Sequence, residues 1–287
     1  IRPEFTRIVA SAGWSYKWGV QQRRSQHRID LLDINYLYMP SIDSLFREKY
    51  LEKDENYILK YNYEDRFIVR TGYSYIYNSA GRALMNNSGI GNSYTIRLNF
   101  ESAGNLLYAV AKLGGMKKNA SGEYTLLNIP FAQYLKGDFD FAKNLVIDNR
   151  NSLAFHFGAG IAIPYGNATM LPFEKRYFSG GANSVRGWSV RDLGPGSFPG
   201  DNNFMNQSGD IKLDASIEYR TRLFWKFRGA LFVDAGNIWT IRDYKDQPGG
   251  QFEFDKFYKQ IAVAYGLGLR LDLDFFVLRF DGGMKAV

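Results

Sequence analysis

The 287-residue sequence predicts an all-β fold, a transmembrane antiparallel β-barrel, from three observations. First, apolar residues alternate with small or polar residues at a period of two over about ten segments, whereas the helical period of 3.6 is almost absent. Second, the connections between these segments alternate between short and long, as the turns and loops of outer-membrane barrels do. Third, aromatic residues make up 16% of the chain although hydrophobic residues make up only 45%. Barrels place aromatic residues in girdles at the two membrane interfaces.

The alternation is clearest near the C-terminus, where seven apolar residues from Ile261 to Leu273 occupy every second position. The positions between them hold small or charged residues such as Gly268 and Arg270. A soluble sandwich would rarely need so many small residues on its second face, whereas a crowded lumen does. We therefore expect Leu267 to face lipid and Gly268 to face the lumen. The predicted strands, in chain order, are 5–19, 28–39, 67–77, 94–100, 131–146, 153–163, 211–223, 229–239, 260–274 and 276–283.

The connections follow from these strands. Short ones are predicted near 80–92, 147–151, 224–227 and 274–275, and long ones near 40–64, 102–130, 164–209 and 241–256. Two of the long connections carry helix signals. One covers 42–51 and opens with two capping residues, and the other covers 102–113 and ends before a pair of glycines.

Composition and charge exclude several classes of protein. No stretch of about 18 apolar residues occurs, so the sequence encodes no transmembrane helix. The net charge of +7 is spread along the chain, and we interpret the one basic cluster, 21–28, as a solvated connection, with lipid phosphate as an alternative ligand. Nucleic acid is not expected as a partner. The absence of cysteine excludes disulfide scaffolds and thiolate metal sites. The start at Ile1, with neither Met nor a signal sequence, predicts a fragment or a mature segment.

One segment, 173–188, carries most of the functional information. It reads Phe-Glu-Lys-Arg-Tyr-Phe-Ser-Gly-Gly-Ala-Asn-Ser-Val-Arg-Gly-Trp. These contiguous positions resemble the signature loop of the outer-membrane assembly and translocation barrels of the BamA/TamA family, in which a Val-Arg-Gly-aromatic tip folds back into the lumen. The wording of the second half looks closest to TamA-like members, including the TamL branch of Bacteroidetes.

The resemblance assigns roles to particular residues. It implies that the loop 164–209 folds inward and that Arg186 reaches carboxylates on the lumen wall. Asp234 lies in a Phe-Val-Asp-Ala-Gly-Asn segment similar to the family's wall motif, and Glu218 lies on the inward face of the preceding strand. Arginine suits this task because its planar fork binds carboxylates bidentately and keeps its charge. The tip comprises Val185, Arg186, Gly187 and Trp188, and the loop glycines are Gly180 and Gly181.

The loop residues around Arg186 have expected structural roles. Gly180, Gly181 and Gly187 are expected to take positive φ or to allow close approach to the wall. Trp188 is expected to anchor the tip by packing against lumen residues, with an exposed girdle position as the alternative.

The same resemblance implies a domain and a function. Residues 1–287 are expected to be a C-terminal β-barrel domain, incomplete at both ends, because the family barrel has about sixteen strands. The expected function is insertion or translocation of client proteins at the outer membrane of a Gram-negative cell, without a catalytic site or cofactor. Outer-membrane lipid, lipopolysaccharide, client outer-membrane proteins and a TamB-like periplasmic protein are the expected partners.

Alternative functions remain open at this stage. A passive pore needs no inward loop tip, and a two-partner-secretion exporter shares the general architecture. A barrel hydrolase needs a Ser and a His on the outer face, yet each Gly-x-Ser sequence lacks the closing glycine of a nucleophile elbow. Of the two histidines, His27 and His156, the second is expected to make a hydrogen bond in the lumen. No metal site is predicted, and Asp138 and Asp140 are interpreted as part of a solvated lumen.

Overall fold

The computed structural model describes residues 5–19, 24–42, 44, 57–80, 91–200, 206–273 and 275–286. Its main element is one antiparallel sheet of ten strands, which confirms the predicted all-β class. Two further short strands, Thr125–Leu126 and Ile129–Pro130, form a separate hairpin. The strands are β1 (Phe5–Trp18), β2 (Ser25–Ile42), β3 (Arg66–Asn78), β4 (Ser93–Ala103), β5 (Thr125–Leu126), β6 (Ile129–Pro130), β7 (Tyr134–Val146), β8 (Asn151–Pro164), β9 (Ile211–Arg222), β10 (Phe227–Trp239), β11 (Ala262–Asp272) and β12 (Val277–Lys285).

The ten strands of the sheet follow one another in chain order, with each paired to its sequence neighbours. Short turns close one end of the sheet, as between β7 and β8, and long loops connect the strands at the other end. This is the predicted arrangement of connections. Within the described residues β1 and β12 are the two ends of the sheet and do not pair with each other. Whether further strands complete the barrel stays a prediction.

The two faces of the sheet differ as the period-two pattern predicts. Leu267 is 65% exposed on the outward face and lies opposite Leu231, which is 53% exposed. On the inward face of the same two strands, Ala264 lies opposite Asp234, and both are fully buried. Because successive side chains of a strand point to opposite faces, this alternation fixes an outward apolar surface and an inward polar one.

Helices are few and lie in the long loops. Helix α1 (Tyr57–Asn62) precedes β3, and helix α2 (Asn105–Leu113) follows β4. The sequence predicted the second but began it three residues early, because β4 continues to Ala103 and Gly104, with a φ of 74°, separates strand from helix. The helix predicted over 42–51 lies almost wholly outside the described residues, and α1 was not predicted. None of the described helices is long and apolar enough to cross a membrane.

The long loop between β8 and β9 packs against the inward face of the sheet. An isolated bridge pairs Tyr177 with Gly209, and a second pairs Ser179 with Leu193, so the loop folds back on itself. Near its start, Met170 is fully buried in a cluster with side chains from α1 and from the loop after β10. These contacts hold the base of the loop and direct its tip, 180–190, toward β9–β12.

Candidate functional site

The loop tip is a tight turn built on glycine. Gly180 and Gly181 have φ of 94° and 87°, a left-handed backbone that favours glycine. The Gly181 N–H donates a 2.8 Å hydrogen bond to the Trp188 carbonyl and closes the turn. A Cβ on Gly180 would lie 2.2 Å from the Ser189 carbonyl oxygen. The local sequence therefore presents Arg186 at the end of a narrow, closed loop.

Arg186 binds Asp234 of β10 through three hydrogen bonds. Its Nε donates to Asp234 Oδ2 at 2.7 Å, and its Nη2 donates to Oδ1 at 2.8 Å. The backbone N–H of Arg186 also donates to Oδ2, at 3.1 Å. This is the bidentate fork geometry that gives arginine–carboxylate pairs their strength and direction.

The other donors of Arg186 reach two more strands. Nη1 donates to Glu218 Oε2 of β9 at 2.6 Å and to Asp281 Oδ2 of β12 at 3.3 Å. Nη2 also lies 3.3 Å from Ser216 Oγ. All five guanidinium N–H groups thus have an acceptor, the full donor capacity of arginine. The guanidinium carbon also lies 3.4 Å from the centre of the Phe232 ring, within the range of a cation–π contact.

The carboxylates that hold Arg186 have further partners. Glu218 accepts hydrogen bonds from Arg220 at 2.7 Å and from Arg270 at 2.9 Å. Asp281 accepts one from Arg279 at 2.7 Å. The network therefore joins the loop tip to β9, β10, β11 and β12 in one set of alternating charges.

The centre of this network is largely withdrawn from solvent. The Arg186 side chain is 7% exposed, that of Asp234 is 1% exposed, and that of Glu218 is 7% exposed. Burial alone lowers the pKa of Arg186, but hydrogen bonds to Asp234 and Glu218 outweigh it, so the pKa is raised above its ordinary value. The arginine keeps its charge, and the tip is held by a buried ion pair.

Close backbone packing completes the seat of the tip. A Cβ on Gly187 would lie 2.8 Å from the Ala264 Cβ, and a Cβ on Gly283 would lie 2.5 Å from the Arg186 carbonyl oxygen. Val185 is fully buried against Ala264. Trp188 packs against this cluster, as expected of an anchor of the tip, rather than standing in an exposed girdle position. The Lys285 ammonium lies 5.0 Å from the centre of the Trp188 ring.

Other predicted lumen residues lie away from the tip. His156 Nε2 lies 2.6 Å from Asp140 Oδ2, and its Nδ1 lies 3.3 Å from Asp214 Oδ2, so the histidine bridges β7, β8 and β9. Asp138 accepts a 2.6 Å hydrogen bond from the Tyr177 hydroxyl. No group of three or more His, Asp or Glu side chains in the described part of the chain is arranged to hold a metal ion.

The sequence singled out two wall partners, and the structure adds others. Asp281, Ser216 and Phe232 contact Arg186 without having been predicted to do so. The alternation along each strand already placed these three side chains on the inward face of the sheet. Their height relative to Arg186 depends on strand register and on the path of the loop, which no local pattern encodes.

In this fold, a long loop turns back and packs on the lumen face of a transmembrane barrel wall. This arrangement defines a class, the outer-membrane β-barrels with an inward-folded loop. Within that class, the chain belongs to the Omp85 superfamily, because the model of the Omp85 superfamily domain matches residues 2–286.

Individual relatives support this membership. The chain is 32% identical over 96 residues to the outer membrane protein assembly factor BamA of Neisseria meningitidis serogroup B, a match that covers 30% of this chain and 12% of that protein. It is 27% identical over 146 residues to the sorting and assembly machinery component 50 homolog A of Xenopus laevis, covering 49% of this chain and 30% of that protein.

Solved structures show the same fold. The crystal structure of BamA from Haemophilus ducreyi lacking POTRA domains 1-3 superposes with a TM-score of 0.63 at 17% identity, covering 98% of this chain and 51% of that one. CdiB from Escherichia coli gives a TM-score of 0.50 at 13% identity, covering 98% and 41%. The chain thus spans about half or less of the length of each of these relatives.

Proposed function

We propose that this protein is an assembly or translocation factor that inserts or translocates client proteins at the outer membrane of a Gram-negative bacterium, without a catalytic site. The observation that carries the proposal is the seating of Arg186 on carboxylates of β9, β10 and β12. Membership of the superfamily and the similarity to a BamA assembly factor support it. A TamA-like role, with a TamB-like periplasmic partner, is the finer form of the proposal.

The proposed mechanism uses the loop as a brace. With its tip bound to several adjacent strands, the loop stiffens β9–β12 from inside while the outward face contacts lipid and lipopolysaccharide. A stiffened wall lets an exposed strand edge keep its shape, and such an edge is a template for pairing with a client strand. Backbone hydrogen bonds then supply affinity for clients of varied sequence.

A passive pore is the competing function from another class. A pore needs an open lumen, whereas here the segment 180–190 lies on the lumen wall and joins it through a buried network. The two functions predict different responses to the loss of Arg186, because an unbraced loop would change the conductance of a pore and would impair insertion by an assembly factor.

The test is reconstitution of the protein into liposomes, followed by addition of an unfolded outer-membrane client. Insertion is measured as protection of the client from protease, and Arg186→Ala is compared with Arg97→Ala. Arg97 is a matched control because it lies on the inward face of β4, is 57% exposed, and approaches Asp140 only to 3.9 Å. We expect insertion to fall with the first variant and to persist with the second. Equal insertion by both variants, or ion conductance without insertion by the unaltered protein, would count against the proposal.

A further inference from the structure

A basic cavity lies on the inward face of the sheet, on the short-turn side of the Arg186 network. It has a volume of about 380 Å³ and extends from the turn between β7 and β8 to the start of β12. Its charged lining residues are five arginines and two aspartates, namely Arg150, Arg220, Arg222, Arg228, Arg270, Asp148 and Asp272.

The two aspartates are already engaged by the protein. Asp148 accepts hydrogen bonds from the backbone N–H groups of Arg150 and Asn151, at 2.7 and 2.9 Å, within its own turn. Asp272 accepts a 2.5 Å hydrogen bond from Arg228 Nη2. Glu218, which lies outside the lining, also binds Arg220 and Arg270. The five arginines still outnumber these three acids, so the cavity keeps an excess of positive charge.

Four of the five arginines are exposed to the aqueous side, and the side chains of Arg220 and Arg228 are 46% and 45% exposed. The side chain of Arg270 is only 11% exposed. Uncharged polar residues of the lining include Asn144, Asn151 and Ser152. A cavity of this kind on the lumen side suits a carboxylate ligand rather than an acyl chain, since guanidinium groups bind carboxylates bidentately.

We propose that this cavity binds an acidic segment of a polypeptide that enters the lumen from the short-turn side. The inference rests on the proposed function, in which a client protein is the polypeptide that enters the lumen. Arg220 and Arg270 also hold Glu218, which in turn holds Arg186. Carboxylates of the bound segment would share these two arginines with Glu218, so binding is linked to the seat of the loop tip.

The test measures peptide binding alone. The protein in lipid nanodiscs is titrated with a short fluorescein-labelled peptide that carries a run of glutamates, and fluorescence anisotropy is recorded. A peptide with glutamine in place of each glutamate serves as the ligand control. We expect the acidic peptide to bind, with an affinity that falls as the salt concentration is raised. The glutamine peptide should bind at least about tenfold more weakly.

Variants locate the site. The double variant Arg222→Gln with Arg228→Gln is expected to weaken peptide binding by about tenfold or more. Arg228 holds Asp272 rather than Glu218, so the double variant spares the two arginines that bind Glu218. Arg97→Gln removes a lumen charge outside the cavity and is expected to change affinity by less than about twofold.

Three outcomes would overturn the proposal: equal binding of the two peptides, equal weakening by Arg97→Gln, or displacement by inorganic phosphate at concentrations as low as those of the acidic peptide. Client insertion is measured separately. If the unaltered protein binds the acidic peptide but does not insert clients, the proposed function is refuted and the peptide site stands. If it inserts clients but does not bind the peptide, the peptide site is refuted.

Discussion

Replacing Arg186 by alanine is expected to free the loop tip while the sheet stays folded. A surface ion pair is worth under about 1 kcal/mol, but here the side chains of Arg186 and Asp234 are only 7% and 1% exposed. Breaking one partner of a buried pair costs about 3 to 5 kcal/mol. We expect the lower value, about 3 kcal/mol, because Asp234 keeps its hydrogen bond from Ser216 and Glu218 keeps those from its two other arginines.

The opening of the tip can be read from a single thiol. The chain contains no cysteine, so Val185→Cys introduces a unique one at a fully buried position. Labelling by a maleimide then requires the tip to open, and its rate reports the free energy of that opening. In this background, Arg186→Ala is expected to raise the labelling rate by about a hundredfold, since 1.4 kcal/mol corresponds to a factor of ten. Arg97→Ala is the control and should leave the rate unchanged.

Folding of the barrel is checked in the same samples by circular dichroism and by the heat-dependent shift in electrophoretic mobility. An unchanged labelling rate in a folded Arg186→Ala protein would refute the claim that this side chain holds the tip. Arg186→Lys should give an intermediate rate, because an ammonium cannot span two carboxylates as the fork does. The charge swap of Arg186→Glu with Asp234→Arg should recover little, since Glu218 and Asp281 would then face a third carboxylate.

Three further outcomes are expected. Leu267→Arg should destabilise the reconstituted protein by about 2 to 4 kcal/mol in urea titrations if the position lies at mid-membrane. Asn99→Arg, on the inward face, should cost under about 1 kcal/mol. Similar costs for the two variants would contradict the assigned faces. Gly283→Ala should accelerate labelling of the loop-tip thiol because the added Cβ would lie 2.5 Å from a carbonyl oxygen of the tip, while Gly282→Ala, whose Cβ meets nothing within 4 Å, should not; equal rates would show that the close approach is unimportant. His156→Ala should lower the urea midpoint, at a cost of about 1 to 3 kcal/mol, because the buried Asp214 and the partly exposed Asp140 lose a hydrogen-bonding partner. An unchanged midpoint would show that the bridge contributes nothing.

Much of the fold could be predicted because alternate residues of each strand face two different environments, and this shows in the local sequence. The period-two pattern distinguished the outward Leu267 from the inward Ala264, and the lengths of the connections distinguished the two ends of the sheet. Helix α1 was missed for the opposite reason. Its six residues are too few for a helical period, and Ile58 is buried by a cluster that includes Met170, more than a hundred residues away in sequence.

The candidate site divides in the same way. The sequence by itself determined the loop tip, through the contiguous motif at 173–188. It also determined that Glu218 and Asp234 face inward, through alternation along each strand. Only the tertiary structure decided that Asp281, distant by 95 residues, shares the Nη1 group of Arg186, and that the ring of Phe232 lies beneath the guanidinium. The physical reason is that alternation fixes the face of a side chain, whereas its height along the barrel wall depends on the register of neighbouring strands and on the path of the packed loop.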